Sequence, residues 1–301
     1  MQQSPIYHVR SGRVGPLAPL YVLFAGGAGV AASAALYAVV IHYNPFIYFS
    51  FLATLIFGAL IGIAASSAAQ AGKSRSLPFN LLATLVLVAF GLWASWLLWI
   101  ALTLDRGGAT ASQLALADVA QWQAFFDWLA EHYRTSISRH MGAGTPSEPA
   151  SANQMLWQWG LEAALVALAA LFSAWVGTGT RVYSERCGGW AEQALKLEVD
   201  GHDTAPAALR AAFERGDFTQ LEQLLAVDAG APRETERWKS FELELIAETA
   251  DPTLRVLNLD ALDNHLDAKG KLKQSRQTVV ERLLLPPAVY DALMRRLRPS
   301  T

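Results

Sequence analysis

The stretch FIYFSFLATLIFGALIGIAASSAA, residues 46–69, contains no charged side chain. As a helix rising about 1.5 Å per residue it is about 36 Å long, enough to cross a hydrocarbon core of roughly 30 Å. Its apolar residues show no polar stripe of the kind a soluble surface helix carries, so it reads as a membrane span. The apolar content of the 301-residue chain, 52% overall with 17% charged, is concentrated in the first 180 positions. That unevenness points to a bilayer rather than a globular core.

Working outward, Leu17 to His42 forms a span of the same character, separated from the second by Tyr43, Asn44 and Pro45 alone. So short a connection predicts an antiparallel hairpin. Arg10 and Arg13 before span one and the triplet Ala32, Ser33, Ala34 fit a cleavable leader, but the apolar run continues to Ile41 and favours an uncleaved signal anchor. A third span runs from about Pro78 to Leu104, closed by Asp105, Arg106, Gly107 and Gly108, and a fourth from about Leu156 to Val176, ended by Gly177 and Gly179. Small residues recur every fourth position in the first two spans, as Ala25, Gly29 and Ser33 and as Gly58, Gly62 and Ser66. This spacing predicts close packing between spans one and two, with homodimerisation through Gly58 and Gly62 as the alternative.

Basic residues fix the expected orientation. Arg10 and Arg13, Lys73 and Arg75, and Arg181 and Arg186 all fall on one side, whereas the first hairpin turn carries no charge. The positive-inside rule therefore places both termini in the cytosol. Trp96, Trp99, Trp157 and Trp159 then share the outer interface as anchors, and Trp175 marks the inner one. Between spans three and four, an amphipathic helix over about 118–137 carries Val119, Trp122, Phe126, Leu129, Tyr133 and Ile137 on one face and is expected on the outer interface or across the bundle mouth. Residues 141–153, rich in Gly, Pro, Ser and Ala, read as a linker.

Glu162 is the acidic residue set inside an apolar run, about one and a half turns into span four, and an ionisable group there is a functional candidate. His42 at the end of span one is the partner such a role would use, with Asn44 beside it, but the closeness of Glu162 to the helix end favours its simply reaching headgroup water or capping a loop. The absence of charge in mid-membrane of spans one to three argues against an ion-coupled pump.

After span four the hydrophobic period changes to two. Leu195–Val199, Phe241–Leu245, Leu254–Leu259 and Thr278–Leu285 read as four strands, with turns at Asp251-Pro252 and Lys269-Gly270. Helices are expected from Thr204 and Pro206 to Gly216, from Asp217 to Leu225, and from Pro287 to Leu297. The fold class is thus a bundle of four transmembrane helices, residues 1–180, plus a small cytosolic α+β domain with antiparallel strands, residues 181–301.

Within that domain, Tyr183 to Trp190 resembles a zinc-ribbon knuckle of the form Cys-x-x-Cys-Gly, with Ser184 in place of the first cysteine and Cys187 as the second. The turn Glu248 to Thr253 stands where a second knuckle would be and has no cysteine. The arrangement is similar to uncharacterised bacterial four-helix membrane proteins with a cytosolic zinc-ribbon-like tail. The resemblance implies a β scaffold that has lost its metal, and a bacterial inner-membrane location. His202 and His265 are not spaced to complete a metal site with Cys187.

No phosphate loop, nucleophile elbow or HExxH motif is present, so no catalytic residue, metal or cofactor is expected. The net charge of -2 gives no reason to expect nucleic acid. The expected function is that of a non-enzymatic membrane adaptor or scaffold whose tail binds protein partners. A small transporter, channel or pore-forming effector using Glu162, His42 and Asn44 is the alternative. A membrane enzyme using His42 and Glu162 as its base pair is a third. Self-association is compatible with so thin a bundle.

Overall fold

The computed structural model describes residues 7–43, 47–132, 151–179, 181–200, 205–225, 237–267 and 271–297. The chain divides into two compact units, residues 11–180 and residues 181–301, the latter joined by the N-terminal residues up to Arg10. The first ten positions thus group with the tail.

Among the described residues of the first unit, four helices are long and apolar enough to cross a membrane: Ala18–Tyr43, Phe49–Ala71, Leu77–Thr103 and Asn153–Gly179. Span one contains one turn of π-helix at Val22–Gly26. Ser76 caps span three, accepting from the Phe79 N–H, with Pro78 in the first turn. Span two is the central helix, with a larger share of its residues buried than spans one, three and four. Spans two and three each pack against the other three, and the apolar core between them is built from Val30, Phe57, Ile61, Leu87, Val88 and Val166.

Two shorter helices follow span three. The first, Gly107–Leu114, replaces the expected stop: the Gly107 Cα packs so tightly on span three that a Cβ there would lie 2.1 Å from the Ile100 carbonyl oxygen. Glycine is the residue that fits. The second, Val119–His132, is the expected amphipathic helix, opened by a reciprocal cap in which the Asp118 carboxylate accepts from the Gln121 N–H and the Gln121 side chain accepts from the Asp118 N–H. Tyr133, Ile137 and the linker up to position 150 lie outside the described residues.

The second unit is an antiparallel meander. Strands β3 (Glu192–Asp200), β4 (Arg237–Glu248), β5 (Asp251–Leu266) and β6 (Leu272–Leu284) pair in sequence order, preceded by a two-stranded ribbon of β1 (Tyr183–Ser184) and β2 (Gly189–Trp190). Alternation sends Phe241, Leu243, Leu245, Leu257, Leu259 and Leu283 to one face, where helices Pro206–Glu214, Thr219–Leu224 and Pro287–Leu297 cover them with Leu209, Phe213, Leu221 and Leu293. The opposite face bears the polar residues of the same strands. The turn proposed at Lys269-Gly270 lies outside the described residues.

One pairing joins the two ends of the chain. Tyr7 bridges Leu283 antiparallel, the His8 N–H donates to the Arg282 carbonyl at 2.8 Å, and the Tyr7 hydroxyl donates to Glu214 at 2.9 Å. The N-terminal segment thus adds to the edge of β6.

Candidate functional site in the membrane helices

Span four begins earlier than its apolar run suggests. The Ser151 hydroxyl accepts from the Gln154 N–H and the Gln154 side chain from the Ser151 N–H, a reciprocal cap that starts the helix at Ala152. Glu162 therefore lies ten residues inside the helix, about 15 Å along its axis, deeper than the sequence estimate.

The Glu162 carboxyl is hydrogen-bonded to the hydroxyl of Tyr37 on span one. That hydroxyl also meets Thr54 Oγ1 of span two at 3.0 Å, and the Thr54 hydroxyl lies 2.9 Å from the Ser50 carbonyl oxygen one turn back. The Tyr37 ring is 8% exposed and stacks on Phe57, with centroids 4.5 Å apart and planes 8° from parallel. Stacking holds the phenol in one rotamer, which aims its oxygen between spans two and four. Three spans are clasped by one tyrosine.

The predicted pairing of Glu162 with His42 does not form. His42 lies five residues beyond Tyr37, about 140° around the helix axis, and its Nδ1 is 3.1 Å from Thr103 Oγ1 at the end of span three. Asn44 lies outside the described residues. The signal for Tyr37 in the sequence is a hydroxyl in an otherwise apolar turn, which a pattern of charged residues does not reveal.

Outside this clasp lies an aromatic cluster. Trp159, one turn from Glu162 on span four, meets Trp96 of span three at 5.4 Å and Phe126 of the amphipathic helix at 5.7 Å, and Trp96 meets Phe126 at 4.9 Å. Leu129 and Ala130 of the same helix are fully buried, with Ala130 against Met155 and Trp159. The amphipathic helix therefore packs on span four and covers that end of the bundle. Trp96 and Trp159 are its packing partners, whereas Trp157, 81% exposed, is free to act as an interfacial anchor.

The small-residue seam also differs from expectation. A Cβ on Gly58 would lie 2.5 Å from the Val166 carbonyl oxygen, and one on Gly62 2.2 Å from that of Ala170. Both glycines thus face span four, not span one, and no room is left there for a second copy. Gly29 does meet span two, where its Cβ would lie 3.2 Å from that of Ala64. Adjacency in sequence misassigned the closest partner because span two, being central, offers a separate face to each neighbour.

At the other end of the bundle Asn80, 1% exposed, accepts from the Ser74 hydroxyl at 2.7 Å and donates to Thr178 Oγ1 at 3.3 Å. Gln70 donates to the Gly177 carbonyl at 2.8 Å. These bonds close helix ends and are structural in kind.

In the second unit the two turns singled out in sequence meet. The Ser184 hydroxyl donates to Asp251 Oδ2 at 2.5 Å and accepts from the Cys187 N–H at 3.2 Å, while the Cys187 thiol lies 3.0 Å from the Ala250 carbonyl oxygen. Burial pushes the Asp251 carboxyl up, but hydrogen bonds from Ser184 and Thr253, with Arg186 nearby, outweigh it and hold the group below the usual carboxylate range. A serine and an aspartate thus fasten the turns directly. Among the described residues no three His, Cys, Asp or Glu side chains group to hold a metal, and His202 lies outside them.

No family model, curated protein or solved structure matches the chain.

Proposed function

We propose that this protein is a non-enzymatic membrane adaptor or scaffold, anchored by four spans in the bacterial inner membrane and presenting its C-terminal sheet unit to protein partners in the cytosol. The observation that carries this reading is the two-sided sheet. One face is sealed by three helices, while the other bears Lys196, Glu198, Glu242, Glu244, Asp260 and Arg276, joined across four strands by hydrogen bonds and ion pairs. Such a face is charged and held by its own strands, which suits recognition of another protein. An even number of spans, together with the pairing of Tyr7 with β6, supports a common side for both termini. The basic residues flanking the spans support the cytosol as that side.

The test is co-purification of the full chain in mild detergent, compared with a chain lacking residues 183–301 and with Glu198→Lys. A stoichiometric partner lost in both variants, with Glu198→Lys unfolding at the same temperature as the parent, is the expected result. A chain that retains no partner, or the same partner after truncation, counts against it.

A second reading is favoured by the clasp. A carboxyl buried in the membrane helices beneath an aromatic cover suits a small transporter or channel. Flux through proteoliposomes that disappears in Glu162→Gln would support it, and unchanged flux or none would oppose it. An enzymatic pair of His42 and Glu162 loses its motivation, since each has a different partner.

A further inference from the structure

Hydrogen counting at the clasp bears on the state of Glu162. Three contacts lie in a row: Glu162 to Tyr37, Tyr37 to Thr54 at 3.0 Å, and Thr54 to the Ser50 carbonyl at 2.9 Å. Tyr37 and Thr54 each bring one hydroxyl hydrogen, and the carbonyl brings none. Two hydrogens cannot make three bonds. With an ionised Glu162, Tyr37 donates to the carboxylate and Thr54 to Ser50, leaving two hydroxyl oxygens facing each other with no hydrogen between. If Thr54 turns to Tyr37 instead, the Ser50 contact is lost. A third hydrogen completes the row, and the carboxyl is the remaining group able to carry one. Glu162 then donates to Tyr37, Tyr37 to Thr54, and Thr54 to the carbonyl.

Charge leads to the same state. Span two and span three contain no Asp, Glu, Lys, Arg or His, and span four contains Glu162 alone. Span one contributes His42, which is bonded to Thr103. The covering helix contributes Asp127, Glu131 and His132, all exposed. Among the described residues of the four spans and the covering helix, an ionised Glu162 would therefore have no cation beside it, which is costly in an apolar medium.

We propose that Glu162 is a proton-binding site, carrying its proton at neutral pH as the head of a one-way hydrogen-bond row that joins spans four, one and two. Loss of the proton removes one bond of the three and loosens the clasp. The assignment holds whether the bundle anchors the tail or passes a solute.

Infrared spectroscopy of the full chain in lipid vesicles at neutral pH tests it. The expected result is one carboxylic-acid carbonyl band per chain that is absent in Glu162→Gln. In Tyr37→Phe, where the acid keeps its hydrogen but loses its acceptor, the band persists at higher frequency. If Glu162→Gln fails to fold, the shift in Tyr37→Phe decides, because a band that moves on removing that hydroxyl belongs to the group bonded to it. A carbonyl region indifferent to both changes, or to Tyr37→Phe where Glu162→Gln cannot be read, overturns the proposal.

Discussion

Glu162 in the membrane helices and Glu242 on β4 are the same side chain in opposite company. Glu242 stands in a row of acids, with Glu198 directly across on β3 and Asp260 directly across on β5, an arrangement that repels. Lys196 at 3.0 Å and Arg276 relieve it, and Arg276 also lies 3.6 Å from Asp260. Water reaches Lys196, Glu242, Asp260 and Arg276, so each of these ion pairs is weak. The partner of Glu162 is the Tyr37 hydroxyl, not a cation. Where water and cations are at hand an acid is held loosely by charge; in the bundle it is held by geometry.

The comparison breaks if the sheet unit depends on its charges rather than on its apolar face. Leu243→Ala removes a fully buried side chain and is expected to cost about 2–5 kcal/mol, measured as the largest drop in denaturant midpoint of the second unit. Tyr37→Phe, which strips the clasp of its hydroxyl while keeping the stack on Phe57, should cost about 1–3 kcal/mol in detergent unfolding, because Glu162 and Thr54 both lose their partner. That loss should be insensitive to salt. Glu242→Gln should cost at most about 1 kcal/mol, with the difference shrinking further in high salt. A salt-insensitive loss larger than that of Tyr37→Phe would invert the account.

A smaller effect sits at the chain ends. His8 is held below the usual histidine range, first by burial and then by Arg282 and Arg10, with Glu185 opposing. A base with a lowered folded-state value binds its proton more readily when unfolded. The N-terminal pairing is therefore intact above about pH 6.5 and weakens as pH falls below it. The stability-versus-pH curve of the second unit should flatten on that side in His8→Gln, and an identical curve would remove His8 from the account.

Much of this molecule was legible in its sequence. Four helices long and apolar enough to cross a membrane, and the four strands of the larger sheet, appeared where composition and period placed them, because uninterrupted apolar length and alternation are both written in the sequence. What was missed depended on tertiary placement. Span two contacts three helices, and nothing in its own sequence says which neighbour takes Gly58 and Gly62. Gly107 read as a helix stop although it begins one, because the requirement was close approach to Ile100. The cap at Ser151 and Gln154 starts span four about one turn before its apolar run. Glu162 stands out in the sequence as an acid in an apolar run, but its partner is a hydroxyl, which a pattern of ionisable residues does not reveal.

The most direct measurement uses the chain's single cysteine, Cys187, which is exposed on the turn before β2. A membrane-impermeant maleimide is applied to intact cells and to permeabilised cells, alongside Cys187→Ser carrying Ser112→Cys on the exposed face of the helix after span three. The account predicts that Cys187 is labelled after permeabilisation and not before, whereas Ser112→Cys is labelled in intact cells. Labelling of Cys187 in intact cells would contradict a cytosolic tail and, with it, the proposed function.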